Sequence, residues 1–212
     1  MNSQPTYTIE VRNLVKKYGQ VVALDDVSFS TKAGELFFLL GPSGCGKTTL
    51  LKILAGLEKE DSGKIFLRGK DVSSVESYKR GAPMVFQNYA LWPHLNVKDN
   101  VGFGLVERHV PKNEIETRVV QALERVGLKG LGNRMPGELS GGQQQRVVLA
   151  RALVLNPDVI LMDIGLPDMS GIEATREIAA SKRAASKVSC SSPSSSSVSK
   201  LLRPAASAAC RA

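Results

Sequence analysis

Apolar and polar residues in the first 163 positions follow patterns typical of short strands. Residues 7–12 (YTIEVR) alternate between apolar and polar side chains, which is the period-2 pattern of a half-buried strand. Residues 35–40 (ELFFLL) and 158–162 (DVILM) are short apolar runs, and such runs predict buried strands. Residues 63–68 and 83–87 are also predicted to be strands.

Segments with helical patterns separate several of these strands. We predict helices over 47–55, where Gly56 is placed to cap the end, and over 112–126, 143–155 and 171–180. Strands that alternate with helices imply a mainly parallel sheet covered on both faces. The early strands have little helix between them, which indicates a small antiparallel subdomain as well.

A glycine-rich loop connects the strand predicted over 35–40 to the first predicted helix. It reads GPSGCGKT and matches the phosphate-binding pattern G-x-x-x-x-G-K-[ST] in full. Glycines let successive backbone N–H groups point at phosphate oxygens, Lys47 would place a cation on the outer phosphates, and the Thr48 hydroxyl can ligate Mg²⁺. The predicted ligands are ATP and Mg²⁺, and the alternative is a glycine turn with a surface lysine. The candidate nucleotide-binding residues here are Gly41, Pro42, Ser43, Gly44, Cys45, Gly46, Lys47, Thr48 and Thr49.

The net charge of +8 at first suggests a nucleic-acid partner. Residues 181–212, however, contain six Lys or Arg and no Asp or Glu, so the rest of the chain is nearly neutral. We therefore expect no nucleic-acid partner. The same segment contains eleven Ser and seven Ala and has no aromatic residue, a composition that predicts a disordered basic tail.

Cysteine usage and hydropathy favour a cytoplasmic protein. The cysteines are Cys45, Cys190 and Cys210. They lack the spacing of metal ligands, and an odd number of cysteines cannot form a complete set of disulfides. No apolar run approaches the ~20 residues that span a bilayer. The N-terminal segment also lacks the basic-then-apolar pattern of a secretion signal. Any membrane role would therefore require partners.

Residues 7–163 resemble the ATP-binding subunits of ABC transporters, and most of all importer ATPases for polyamines, sugars, ferric iron and similar solutes. The resemblance implies that Tyr18, in KKYG, stacks on adenine. It implies that Gln87, in MVFQNYALWPHL, senses Mg²⁺ and the attacking water, and that Asp163 holds Mg²⁺ through water. The implied catalytic residues are Lys47, Gln87 and Asp163, and the implied metal-binding residues are Thr48, Gln87 and Asp163.

The segment 139–143 reads LSGGQ, which is the signature of the same family. It precedes the helix predicted over 143–155, and a helix N-terminus donates N–H groups to anions. In the family this anion is the γ-phosphate bound by the opposite subunit, so the resemblance implies a homodimer or a pair of ATPase subunits. It also implies membrane-spanning permease subunits, a solute-binding protein and a location at the inner face of the membrane. The implied ligand-binding residues are Ser140, Gly141, Gly142 and Gln143.

The family pattern breaks after Asp163. Ile164 occupies the place of the catalytic glutamate, and an isoleucine cannot polarise water or accept its proton. Ser170 stands where the family has an aspartate. The family's switch histidine is also missing, since the chain's histidines, His94 and His109, both lie upstream.

In residues 158–178, Asp163, Pro167 and Gly171 match the spacing D-x-x-x-P-x-x-x-G. The segment therefore resembles the phosphoacceptor segment of response-regulator receiver domains, and the resemblance implies that Asp163 would be the phosphorylated aspartate. The expected domains are an ABC-type ATP-binding domain over 1–180, incomplete after about 163, and the tail over 181–212. The implied fold is a P-loop α/β sheet with an antiparallel β subdomain and a helical signature subdomain, truncated at its C-terminal end. We expect an importer ATPase subunit with impaired hydrolysis. The alternatives are a nucleotide-binding module or fusion fragment without turnover, and a phosphoacceptor at Asp163.

Overall fold

The computed structural model describes residues 7–86 and 88–163. These residues form two compact units, one extending to Ala82 and the other beginning at Pro83. Gln87, the helix expected over 171–180, the receiver-like residues after 163 and the tail over 181–212 all lie outside the described residues.

The first unit is built on an antiparallel sheet with the strand order β2-β1-β3-β4. Its strands are β1 (Tyr7–Tyr18), β2 (Val21–Lys32), β3 (Ser62–Leu67) and β4 (Lys70–Asp71). Val11, Leu14 and Ile65 point into the core and are fully buried. Burying each such side chain contributes ~1.5–3 kcal/mol to stability. This sheet confirms the predicted antiparallel subdomain.

Helix α1 (Lys47–Ala55) begins at the phosphate loop and is capped by Gly56, as the sequence predicts. Gly56 has a left-handed φ of 75°, and its N–H donates to the carbonyl of Ile53. A Cβ at Gly56 would lie 2.6 Å from Nε of Arg80. Nη1 of Arg80 in turn donates to the Ile53 carbonyl at 2.7 Å. The last turn of α1 is thus stabilised by a glycine cap and by an arginine.

The described residues of the second unit form three α-helices, a short 3₁₀ helix (Pro136–Glu138) and a two-stranded parallel sheet. The helices are α2 (Val97–Val106), α3 (Lys112–Arg125) and α4 (Gly141–Leu153), and the strands are β5 (Met84–Val85) and β6 (Leu161–Met162). The helices pack through a shared apolar core. Its fully buried members include Val97, Val101, Leu105, Val126, Val147 and Leu149.

The structure differs from the sequence-based prediction over 35–40, where no strand forms. All residues between Lys32 and Ser62 are described, and α1 is their one helix or strand. Leu36, Phe38 and Leu40 are about half exposed or more, although Phe37 stacks on Phe29 with ring centroids 4.9 Å apart. An apolar run indicates a tendency to be buried, but a strand also requires a neighbour for its backbone hydrogen bonds. The parallel strands β5 and β6 are also shorter than the strands predicted over 83–87 and 158–162, since each has two residues.

Asn100 is a buried polar residue that organises the segment before α2. It is 0% exposed, and its Oδ1 accepts from the Trp92 N–H at 2.9 Å. Its Nδ2 donates to the carbonyls of Trp92, Leu95 and Asn96 at 3.0, 2.8 and 3.1 Å. One side chain therefore satisfies four backbone groups of a loop that has no regular structure.

We expect Asn100→Ala to lower the free energy of unfolding by about 2–4 kcal/mol, because buried backbone groups would lose their partners. Urea unfolding followed by circular dichroism measures this change. Asn113→Ala, at an exposed position in α3, is the matched control and should change stability by less than ~0.5 kcal/mol. Equal stability of the two variants would contradict the assigned role of Asn100.

Candidate functional site

The phosphate loop has the backbone shape that its glycines require. Gly44 and Gly46 have left-handed φ values of 79° and 90°, which favour glycine over any residue with a side chain. A Cβ at Gly46 would also lie 2.3 Å from the carbonyl oxygen of Ala23 in β2. A Cβ at Gly41 would lie 2.6 Å from Sγ of Cys45. Conformation and close packing both explain the glycines, so the loop curls tightly in front of α1.

Lys47 folds back over this loop. Its Nζ donates to the carbonyls of Gly41 and Pro42 at 2.7 and 2.6 Å, and Sγ of Cys45 lies at 3.4 Å. Lys47 is the first residue of α1, where the helix dipole and unpaired N–H groups favour an anion. The Lys47 ammonium group and the N-terminus of α1 therefore both lie at the phosphate loop, which is the combination that phosphate binding requires. Thr48, the candidate Mg²⁺ ligand, is exposed on the same first turn.

Tyr18, the candidate adenine-stacking residue, lies beside the first turn of α1. It is the last residue of β1, and its phenol donates a hydrogen bond to Glu58. That bond, followed by burial, raises the pKa of Tyr18, while a side-chain hydrogen bond with Thr49 lowers it. The structure therefore brings Tyr18 together with Thr49, a second residue of the predicted nucleotide site.

The LSGGQ signature forms the N-terminus of α4. Ser140 is the N-cap: its hydroxyl accepts from the Gln143 N–H at 3.3 Å, and Oε1 of Gln143 accepts from the Ser140 N–H at 3.0 Å. This reciprocal capping box fixes the entry into the helix. Gly141 and Gly142 follow as the first two helical residues, whose N–H groups have no partner within a helix. The exposed Ser140 and these glycines present donors suited to an anion.

Asp163 directly follows β6. Its N–H donates to the carbonyl of Val85 in β5 at 3.1 Å. Because β5 and β6 are parallel, the residues that follow the two strands leave the same edge of the sheet. The phosphate loop and Tyr18 belong to the first unit, whereas the signature and Asp163 belong to the second.

Sequence reasoning missed Arg151, which holds the segment after Gln87. Nη1 of Arg151 donates to the carbonyl of Ala90 at 2.7 Å, and Nη2 donates to that of Tyr89 at 3.3 Å. Tyr89 and Ala90 have left-handed φ values of 62° and 46°, unusual for residues with side chains. The guanidinium also lies 4.7 Å from the centroid of the Trp92 ring, and burial lowers the pKa of Arg151. Helix α4 therefore fixes this strained turn.

One protein-family model matches most of the chain. The ABC transporter family model matches residues 24–164. This match covers only the first seven residues of the receiver-like segment 158–178. Within the described residues, no helix has the length and apolar character needed to cross a membrane.

Three curated relatives that resemble this chain are import ATP-binding proteins. The spermidine/putrescine import ATP-binding protein PotA of Pseudomonas aeruginosa is 52% identical over 155 residues, which cover 73% of this chain and 43% of that protein. The Fe(3+) ions import ATP-binding protein FbpC 1 of Rhizobium meliloti is 49% identical over 162 residues, covering 76% and 46%. The sulfate/thiosulfate import ATP-binding protein CysA of Mycobacterium tuberculosis is 51% identical over 158 residues, covering 74% and 45%. The chain spans less than half the length of these relatives.

Solved structures agree with the sequence comparison. The dimeric structure of a bacterial ABC transporter cassette has a TM-score of 0.70 and 32% identity, with 80% of this chain and 79% of that chain covered. A post-hydrolysis dimer of that cassette, bound to ADP and Pi, has a TM-score of 0.68 and 30% identity over the same shares. The chain therefore belongs to the ABC transporter family and has the P-loop fold of an ABC ATPase cassette.

Proposed function

We propose that this chain is the ATP-binding subunit of an ABC solute importer and that it binds MgATP but hydrolyses it poorly. The observation that carries the proposal is the phosphate loop, where the Lys47 ammonium group, two left-handed glycines and the N-terminus of α1 come together. Calorimetric titration with MgATP tests it directly. A chain that folds but does not bind MgATP would contradict the proposal.

The roles proposed for the site follow from phosphoryl-transfer chemistry. Lys47 would contact the outer phosphates, and the Thr48 hydroxyl would help to hold Mg²⁺, which would neutralise charge that develops on the phosphates. Asp163 and Gln87 act on Mg²⁺ and on the attacking water. Tyr18 stacks on adenine, since a flat ring covers a base face without polar complementarity. The remaining proposed nucleotide contacts are Gly41, Pro42, Ser43, Gly44, Cys45, Gly46 and Thr49.

The signature is proposed to bind the γ-phosphate held by a second ATPase subunit. Ser140, Gly141, Gly142 and Gln143 supply the helix N-terminus that carries this proposal. ATP would then lie between two subunits of a head-to-tail dimer. The relatives are import proteins, which supports permease subunits and a solute-binding protein as partners and a position at the inner face of the membrane.

Ile164 supports the proposal that hydrolysis is impaired. It stands where the family has its catalytic glutamate, and its side chain cannot orient or deprotonate water. A nucleotide-binding module without turnover is therefore the second candidate function. We propose in addition that the ATP-binding domain lies within 1–180 and that residues 181–212 take no part in nucleotide binding, because they lie beyond every motif of the site.

We expect Ser140→Asp to abolish ATP-dependent dimerisation while leaving the melting temperature unchanged. Aspartate is as good an N-cap as serine, so α4 keeps its cap, but its carboxylate would repel the γ-phosphate of the opposite subunit. Light scattering of the purified chain with MgATP measures the mass. Asn113→Asp adds the same charge at the exposed start of α3 and should still dimerise. A Ser140→Asp variant that dimerises like wild type would argue against the proposed signature contact.

A further inference from the structure

Four residues form a compact group at the end of β1, which we call the Tyr18 cluster: Lys16, Tyr18, Thr49 and Glu58. The Tyr18 phenol donates to Oε1 of Glu58. Nζ of Lys16 lies 3.8 Å from the same oxygen and 5.3 Å from the centroid of the Tyr18 ring. Thr49, on the first turn of α1, is near enough to the phenol to lower the pKa of Tyr18. The ring is thus held at its hydroxyl and over its face.

The Glu58 end of this cluster is itself anchored to β1. Nζ of Lys16 donates to the Lys59 carbonyl at 2.7 Å, and the Lys17 N–H donates to Oδ2 of Asp61 at 2.6 Å. The side chains of Lys16 and Glu58 are 14% and 22% exposed, so both are mostly packed. The segment after α1 is therefore fastened to β1, the strand that also carries Tyr18.

The Tyr18 ring remains accessible despite these contacts, since the residue is 46% exposed. An exposed tyrosine ordinarily changes rotamer freely, and ordering it on binding reduces affinity. A ring that is already fixed avoids this cost. A cation over one face of an aromatic ring is also a favourable contact that keeps the ring in place.

We propose that Glu58 is a positioning residue for the nucleobase: its carboxylate holds the Tyr18 ring in the orientation that stacks on adenine. This inference rests on the proposed function, MgATP binding at the phosphate loop. Glu58 acts through Tyr18 and not on the phosphates. Its contribution should therefore depend on the base and be absent for a ligand that has only phosphates.

Calorimetric titrations with MgATP and with magnesium tripolyphosphate, which lacks base and ribose, test the proposal. We expect Glu58→Ala to weaken MgATP binding about 3- to 10-fold, or ~0.6–1.4 kcal/mol, and to leave tripolyphosphate binding unchanged. Tyr18→Phe keeps the ring but removes the hydroxyl, so it should lose a similar factor. The double variant should lose no more than either single one, because both changes remove the same contact.

Glu58→Gln provides the conservative rescue, because its amide oxygen can still accept from the phenol. It should bind MgATP within about 2-fold of wild type. Glu76→Ala, which removes an exposed carboxylate of the same unit, is the matched control and should bind both ligands like wild type.

The outcomes separate the two proposals. Wild-type affinity of Glu58→Ala for MgATP would overturn the positioning role while leaving MgATP binding intact. Equal losses for MgATP and tripolyphosphate would overturn it too, since they would indicate a general effect on the folded site. Failure of the wild-type chain to bind MgATP would refute the proposed function and this inference with it.

Discussion

Lys47→Ala is expected to weaken MgATP binding by about 10²-fold. The ammonium group is the only side-chain cation that the described structure places in the phosphate loop, where it bonds the Gly41 and Pro42 carbonyls. Hydrogen bonds to charged groups contribute ~1.5–3 kcal/mol, and each 1.4 kcal/mol is a tenfold change in affinity. In the alanine variant, only backbone N–H groups and the dipole of α1 would remain to bind the phosphates. Titration calorimetry of both proteins gives the ratio of dissociation constants.

Lys52→Ala is the control for this experiment. Lys52 lies on the same helix, in its last turn, and is exposed. Its removal changes the net charge by the same amount but leaves the phosphate loop intact, so affinity should stay within about 2-fold of wild type. Equal affinities of wild type and Lys47→Ala would refute the phosphate-loop assignment. Similar losses in both lysine variants would instead indicate a nonspecific effect of charge.

Local features of this fold were predictable because their interactions span only a few residues. The glycines of the phosphate loop and the cap at Gly56 are determined by backbone conformation within one turn. The capping box of Ser140 and Gln143 connects residues three positions apart, and the sequence already placed the signature before a helix. The antiparallel subdomain was also correctly predicted, although the sequence patterns missed strand β2, and β3 pairs with β1 even though helix α1 precedes β3.

Contacts between distant positions explain what the sequence did not reveal. Tyr18 and Glu58 are 40 residues apart, and Arg151 and Ala90 are 61 apart. Neither pair belongs to a motif with a fixed spacing, so no pattern indicates that the side chains meet. The expected strand over 35–40 was wrong for a related reason, since hydrophobicity describes the segment alone and not its pairing partner.

ATP hydrolysis requires several groups in the family's active site, of which this sequence has some and lacks others. Phosphoryl transfer needs stabilisation of charge, an in-line water and a group that orients this water. Lys47, Thr48, Gln87 and Asp163 are the proposed sources of charge and Mg²⁺ binding. Ile164 supplies no base, Ser170 stands where the family has an aspartate, and no histidine follows His109 in the sequence. The proposed defect therefore has at least two independent causes.

We expect Ile164→Glu to raise the rate of phosphate release but not to restore the ~10 s⁻¹ of a typical enzyme. A positioned base contributes ~10²–10⁴-fold, and the substitution supplies that contribution alone. Misalignment of the γ-phosphate would persist, because Ser170 is unchanged and no switch histidine is introduced; such misplacement can cost ~10²-fold. Steady-state phosphate release from wild type, Ile164→Glu and Lys47→Ala measures these differences, with Lys47→Ala as the background. Wild-type turnover far above that background would show that the chain hydrolyses ATP without a glutamate at position 164, and full recovery in Ile164→Glu would show that the other departures have no effect on the rate.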